Sequence, residues 1–278
     1  MGCRITTLAE NTVGIVHGIG EWGFSALVET DKINVLFDTG EGLGIIHNAE
    51  LLGIDLTKID KIVISHSHFD HTGGLPQVLR KLKKEIEVIA APNLWAEKYS
   101  VREGKGYRYN GIPYVRPELE SLGARFTLTQ EPVKLTTDIM TTGEIPIVTD
   151  FEKVGADYLL VKEGDKYRVD DFPDDRALII KTEAGLVVIL GCAHHCLINT
   201  LYHAQKLSGV QQIHTVIGGS HLFDASEDRI KKTVAALKEL NVKRVGMSHC
   251  TGLQSSAIMA QELAGRFFFN TVGSQLSL

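Results

Sequence analysis

Three features of this 278-residue chain predict an α/β fold. Apolar runs of strand length alternate with segments whose apolar residues recur at helical spacing. A pattern of two strands around a turn, then a polar cluster with glycine, then a helix occurs twice, in "ALVETDKINVLFDTG" from Ala26 and in "ALIIKTEAGLVVILGCAHH" from Ala177. Histidines also stand just after apolar strands, at His66, His194 and His249. Two similar halves stacked face to face would bring such strand ends to one edge, and that carboxyl edge is where α/β proteins bind ligands.

"CRITTLAEN" reads as a first strand, followed by the hairpin turning at Asp31 and Lys32 and a helix through Ile45, Ile46, Ala49 and Leu52. "KIVIS" is a buried strand. Thr72 is the expected N-cap of a helix with Leu75, Val78, Leu79 and Leu82 along one face. From about 95 to 175 a loop-rich insertion is expected, with a mobile loop in "REGKGYRYNGIPYVRPELE" and strands in "ARFTLT" and "YLLVKEGDKYRVD". "LINTLYHAQKL" is a helix, and "HTVI" is a strand leading to His221. "SEDRIKKTVAALKELN" is an amphipathic helix capped by Ser226, opened by acids and closed at Asn241. The strand "KRVGM", a further helix and "RFFFNTV" complete what is expected to be one domain over 1–278.

Composition narrows the function classes. With 44% hydrophobic and 23% charged residues the chain matches ordinary globular proteins, which argues against a disordered or fibrous one. A net charge of −5 gives no general attraction for phosphate backbones, so nucleic acid is not an expected partner. Four scattered cysteines are too few for a disulfide framework and suit a reducing compartment. No apolar run reaches the roughly 18 residues that cross a bilayer and no signal-peptide pattern opens the chain, so a cytoplasmic protein without membrane contact is expected. "MGCRIT" satisfies the pattern for lipidation at Gly2, with Cys3 a second lipid site, but the same residues begin a strand that must pack.

The chemistry concentrates in "VISHSHFDHTGGL". His66, His68, Asp70 and His71 crowd nitrogen and oxygen donors of the kind that bind zinc or iron into six residues after an apolar strand. A turn there lets His66 and His68 face one ion while Asp70 and His71 face another. His17, His47, His203 and His214 lack such partners and read as core or surface residues.

These residues identify a resemblance. "SHSHFDHTGGL" resembles the H-x-H-x-D-H signature of the metallo-β-lactamase fold superfamily, and "LFDTG", "LGCAHHCLINT", "VIGGSHL" and "SHCTG" look like its branch of dihydropterin aminobenzene phosphate synthase-like proteins. The resemblance implies a four-layer αβ/βα sandwich with two divalent metal ions in the cleft between halves, zinc first, with iron or manganese as alternatives. It implies that His66, His68 and His194 hold one ion, that Asp70, His71 and His249 hold the other, and that Asp38 orients the histidine loop. His194 is preferred to His195, which is expected to face solvent. Where many members have Gly-Asp, with the aspartate bridging both metals, this chain has Gly191 and Cys192. Cys192 is therefore either a candidate ligand or an inert buried thiol.

Asp70 and His221 are the candidate catalytic residues. His221 follows two glycines at a strand end and is read either as a proton donor or clamp on a developing oxyanion, or as a structural residue. Trp22 is a candidate cleft residue. The implied reaction is hydrolysis of an ester, phosphoester or related bond of a small molecule. The branch implies instead a transferase of pterin biosynthesis with a phosphorylated or pterin-like substrate; Arg102, Lys105, Arg108 and Arg116 read either as its phosphate contacts or, the favoured reading, as a solvated basic loop. A non-catalytic metal-dependent binding protein is a third reading.

Overall fold

In the computed structural model, which describes residues 2–102, 104–154 and 156–278, two sheets lie face to face. The first contains β1 (Cys3–Ala9), β2 (Ser25–Thr30), β3 (Asn34–Phe37), β4 (Lys61–Val63) and β5 (Ile86–Ala90), with β8 (Ala124–Leu128) at one edge and β17 (Gln275–Ser277) at the other. The second contains β9 (Ile139–Thr141), β12 (Ala177–Thr182), β13 (Gly185–Leu190), β14 (Ile213–Gly218), β15 (Arg244–Met247) and β16 (Phe267–Phe269) in that spatial order. Both contain an antiparallel hairpin, β2–β3 and β12–β13, and continue in parallel from its second strand. That is the repeated theme of the sequence.

Three apolar layers explain why these strands are so hydrophobic. Val28, Val35, Phe37, Val63 and Ile89 of the first sheet meet Leu178, Ile180, Val187, Ile189 and Ile217 of the second in a central layer. The outer face of the first sheet is covered by α1 (Ile45–Leu51), α3 (Leu75–Leu82) and α4 (Arg116–Ser121). That of the second is covered by α5 (Leu197–Ser208), α6 (Glu227–Glu239) and α7 (Leu253–Leu263). The result is the expected αβ/βα sandwich. Strands buried on both faces read as continuous apolar runs, as "LVVIL" does.

The helices follow their sequence signals. In α3, Leu75, Val78, Leu79 and Leu82 are all buried, and Lys83 ends the helix in a left-handed conformation. Ser226 accepts a hydrogen bond from the Arg229 N–H at 3.3 Å, with Glu227 and Asp228 in the first turn of α6. Thr72 departs from its expected capping role. Residues Phe69–Thr72 wind into a turn of helix, α2, so Thr72 lies inside it and its hydroxyl donates to the His68 carbonyl at 2.9 Å.

The segment expected to be a mobile loop starts at the end of β6 (Lys98–Arg102) and carries β7 (Gly106–Tyr109) and then the start of α4. With β10 (Leu159–Glu163) and β11 (Lys166–Val169) these strands make a third, four-stranded sheet. The polar, glycine-rich composition of "REGKGYRY" conceals strands because this sheet buries little: β7 and β11 are exposed throughout. Cys3, considered for lipidation, is buried in β1. Among the described residues no helix is long and apolar enough to cross a membrane.

Candidate metal centre

The histidine loop leaves β4 at the carboxyl edge and is fastened from beneath by Asp38. This residue follows β3 in the left-handed region (φ 58°), which aspartate tolerates better than most side chains. Its Oδ1 accepts the Ser65 N–H at 2.7 Å, and its Oδ2 accepts the Ser65 hydroxyl at 2.6 Å and meets His71 Nδ1 at 2.7 Å. Ser65 Oγ also meets His66 Nδ1 at 2.9 Å. One buried carboxylate thereby orients two imidazoles, directly and through a serine.

The second sheet delivers the opposing donors. Gly191 follows β13 and lies against Ser65, so closely that a Cβ there would meet Ser65 Oγ at 2.1 Å. The next residues place Cys192 and His194 against the histidine loop. Two groups of three buried residues result, each with its ligand atoms within 4.8 Å of one another: His66, Cys192 and His194, and His71, Cys192 and His249. Cys192 is common to both, its sulfur 3.2 Å from His71 Nε2.

His68 and Asp70 border these groups. The His68 ring lies 4.7 Å from that of His66 and 5.1 Å from that of His194, centre to centre. Asp70 Oδ2 is 3.2 Å from His249 Nε2 and 3.9 Å from His71 Nε2. His249, at φ 50°, is held by its own N–H to Glu10 Oε1 at 2.6 Å and by Nδ1 to Asn11 Oδ1 at 2.9 Å.

Burial sets the protonation of this cluster. It holds His66 and His194 well below the ordinary imidazole range and brings His68 down to about 3. For His71 burial also opposes the charge, but Asp38 and Asp70 outweigh it and raise the group to about 9. Burial would raise Asp70, yet His71 and His249 outweigh that and keep its carboxyl below the usual range. The Cys192 thiol is pushed well above its ordinary value, chiefly by burial. Neutral imidazoles, a carboxylate and a thiol converging in a dry site, with a His71 imidazole whose proton a metal would displace, fit a divalent cation. Both ring nitrogens of His194 are buried without a hydrogen-bond partner among the described residues, as a waiting ligand would be.

Above the cluster opens a cleft of about 390 Å³ bounded by Trp22, Phe69, Tyr158 and Phe223, with Arg108 on its wall and Asp70, His221 and Cys192 among its lining residues. His221, at φ 46°, is half-buried with its ring 4.5 Å from that of His194. Burial brings its imidazole down to about 4. Of the four basic residues expected to meet phosphate, Arg108 is the one on this wall, its guanidinium 5.0 Å from the centre of the Phe69 ring. Arg116 pairs with Glu120 on α4, Lys105 is exposed outside the cleft lining, and the side chain of Arg102 lies outside the described residues. His195 does not face solvent. It is buried, bonded to the carbonyls of Ile145 and Asp171, with its N–H on Asp175.

Several residues that shape the site carry no local sequence signal. Lys98 is buried on β6 between Asp170 at 3.0 Å and Asp174 at 2.7 Å, and Asp174 also accepts the N–H and hydroxyl of Ser67 in the histidine loop. Glu10 and Asn11 reach His249 across more than two hundred residues of chain. The acidic run "DDFPDD" is the one local signal that could have found Asp170 and Asp174.

A model of the metallo-beta-lactamase superfamily matches residues 23–196. The chain is 34% identical to 7,8-dihydropterin-6-methyl-4-(beta-D-ribofuranosyl)-aminobenzene-5'-phosphate synthase of Methanocaldococcus jannaschii, over 95% of this chain and 92% of that protein. Among solved structures, Tm1679, described as a metal-dependent hydrolase of the beta-lactamase superfamily, superposes with a TM-score of 0.85 at 31% identity over 99% of both chains. YhfI from Bacillus subtilis, a metallo-beta-lactamase fold protein, superposes over the whole of both chains with a TM-score of 0.62 at 10% identity, a likeness of fold.

Proposed function

This chain belongs to the metallo-beta-lactamase superfamily, and on that premise we propose that it is a metal-dependent hydrolase of a phosphorylated small molecule. The observation that carries the proposal is the pair of donor groups sharing Cys192 on the floor of a cleft whose wall presents Arg108. In this reading His66, His68 and His194 hold one divalent ion and Asp70, His71 and His249 the other, zinc being the expected metal, with Cys192 in reach of both. Such ions, when bound, supply Lewis-acid polarisation of the scissile bond and a hydroxide nucleophile near neutral pH.

The protein's own groups do the rest. Arg108 offers a fixed fork of donors to a phosphate arm, and Trp22, Phe69 and Phe223 provide flat apolar walls for the body of the substrate. His221, neutral at physiological pH, offers a ring N–H to an oxyanion as charge develops. Asp38 and Ser65 keep the His66 and His71 rings from turning between turnovers.

A second reading, transfer rather than hydrolysis, is favoured by the full-length similarity to a synthase of pterin biosynthesis. There the same cleft would activate a dihydropterin diphosphate towards an aminobenzene ribosyl phosphate. Product analysis separates the readings. Zinc-loaded protein is incubated with phosphomonoesters, phosphodiesters and a pterin diphosphate, with and without the aromatic acceptor. Hydrolysis of the esters, with KM raised roughly tenfold or more in Arg108→Met, is expected; acceptor-dependent loss of diphosphate with no ester hydrolysis would favour the transferase. Absence of turnover with zinc bound would leave a binding protein.

A further inference from the structure

His194 differs from His66, His71 and His249. His66 meets Ser65 at 2.9 Å, His71 meets Asp38 at 2.7 Å and His249 meets Asn11 at 2.9 Å, whereas neither ring nitrogen of His194 has a hydrogen-bond partner among the described residues. A ligating imidazole is ordinarily oriented by a bond on its second nitrogen. What His194 has instead is Phe172. The two rings are stacked with centres 3.7 Å apart and planes within 5°, and the same phenyl ring stands edge-on to His68 at 5.4 Å.

Phe172 is held there at some strain. It is fully buried and adopts φ 51°, a region that bulky residues avoid unless their surroundings impose it. The surroundings do so through charge. Asp170 Oδ1 accepts the Phe172 N–H at 2.9 Å and Asp170 Oδ2 pairs with Lys98, whose ammonium lies 4.4 Å from the centre of the phenyl ring. Lys98 also binds Asp174, which holds Ser67. One buried ion-pair cluster thus fixes both the phenyl ring and the loop bearing His66 and His68.

We propose that Phe172 is a positioning residue for His194, its ring face doing for this imidazole what Ser65, Asp38 and Asn11 do for His66, His71 and His249. The inference rests on the reading that these histidines hold a divalent ion. Zinc affinity, measured by chelator competition, is compared among the native protein, Phe172→Met and Phe172→Tyr. Methionine keeps an apolar side chain of similar bulk without a flat face. Affinity is expected to fall roughly 10- to 100-fold with methionine, the range seen when an orienting partner is lost, and to be retained with tyrosine. In nitrogen NMR of the zinc-loaded native protein, the remaining ring N–H of His194 is expected to exchange with water much faster than those of His66, His71 and His249. Native affinity in Phe172→Met, or a slowly exchanging, hydrogen-bonded His194 N–H, overturns the positioning role alone. Should the methionine variant fail to fold, the exchange measurement decides. A native protein that takes up no zinc overturns the metal reading beneath it.

Discussion

Protonation of individual histidines gives the site a measurable signature in the metal-free protein. His66, His68 and His194 are held below the ordinary imidazole value by burial, His68 at about 3, whereas in the unfolded chain they titrate near about 6.5. The unfolded state therefore binds more protons over that interval, and stability is lost as pH falls from about 6.5 towards the folded values. His71, raised to about 9, acts oppositely: its contribution is complete below about 6.5 and fades as pH rises through about 9. Denaturant unfolding of metal-free protein between about pH 6.5 and pH 4 should show a slope reduced by up to about 1.4 kcal/mol per pH unit in His68→Gln. An unchanged slope would mean that His68 is not kept neutral by the fold. At this scale the sequence was legible where chemistry is local. "HSHFDH" concentrates its donors in six residues, whereas Phe172, Lys98, Glu10 and Asn11 act on partners that only the fold brings near.

At the scale of elements, periodicity carried the helices and glycine carried the junction. The faces of α3 and α6 are legible because each buries the residues spaced for it, and the hairpins β2–β3 and β12–β13 because their strands are apolar. The small sheet of β6, β7, β10 and β11 was not legible as a whole, since exposed strands rich in tyrosine, arginine and glycine share their composition with loops. Thr72 was misread because a residue beside a cap position looks the same in sequence whether it precedes the helix or lies in a turn of its own. Gly191 makes the sharpest test of this level. Its missing side chain admits Ser65, whose hydroxyl binds Asp38. Gly191→Ala is expected to destabilise the protein by about 1–3 kcal/mol, as overpacking does, and to weaken zinc binding with it. A variant as stable and as tightly metal-binding as the native protein would show that the two sheets have more freedom at this edge than their contact implies.

For the whole molecule, the legible part was the architecture. Repetition of one motif in two halves predicts two sheets, and strand-end histidines in both predict that the halves meet at a shared edge. The structure adds what no spacing could supply: Cys192, the residue at which this chain departs from the Gly-Asp of the wider pattern, lies within both donor groups. It also recruits a third sheet whose Lys98 reaches the underside of the site and whose Arg108 reaches its mouth.

The central claim is that two metal positions are assembled, one around His66, His68 and His194 and one around Asp70, His71 and His249. Elemental analysis of the purified protein, native and His249→Ala, tests it most directly. Two equivalents of zinc or iron in the native protein and one in the variant is the predicted result. A single equivalent that His249→Ala leaves undisturbed would contradict it.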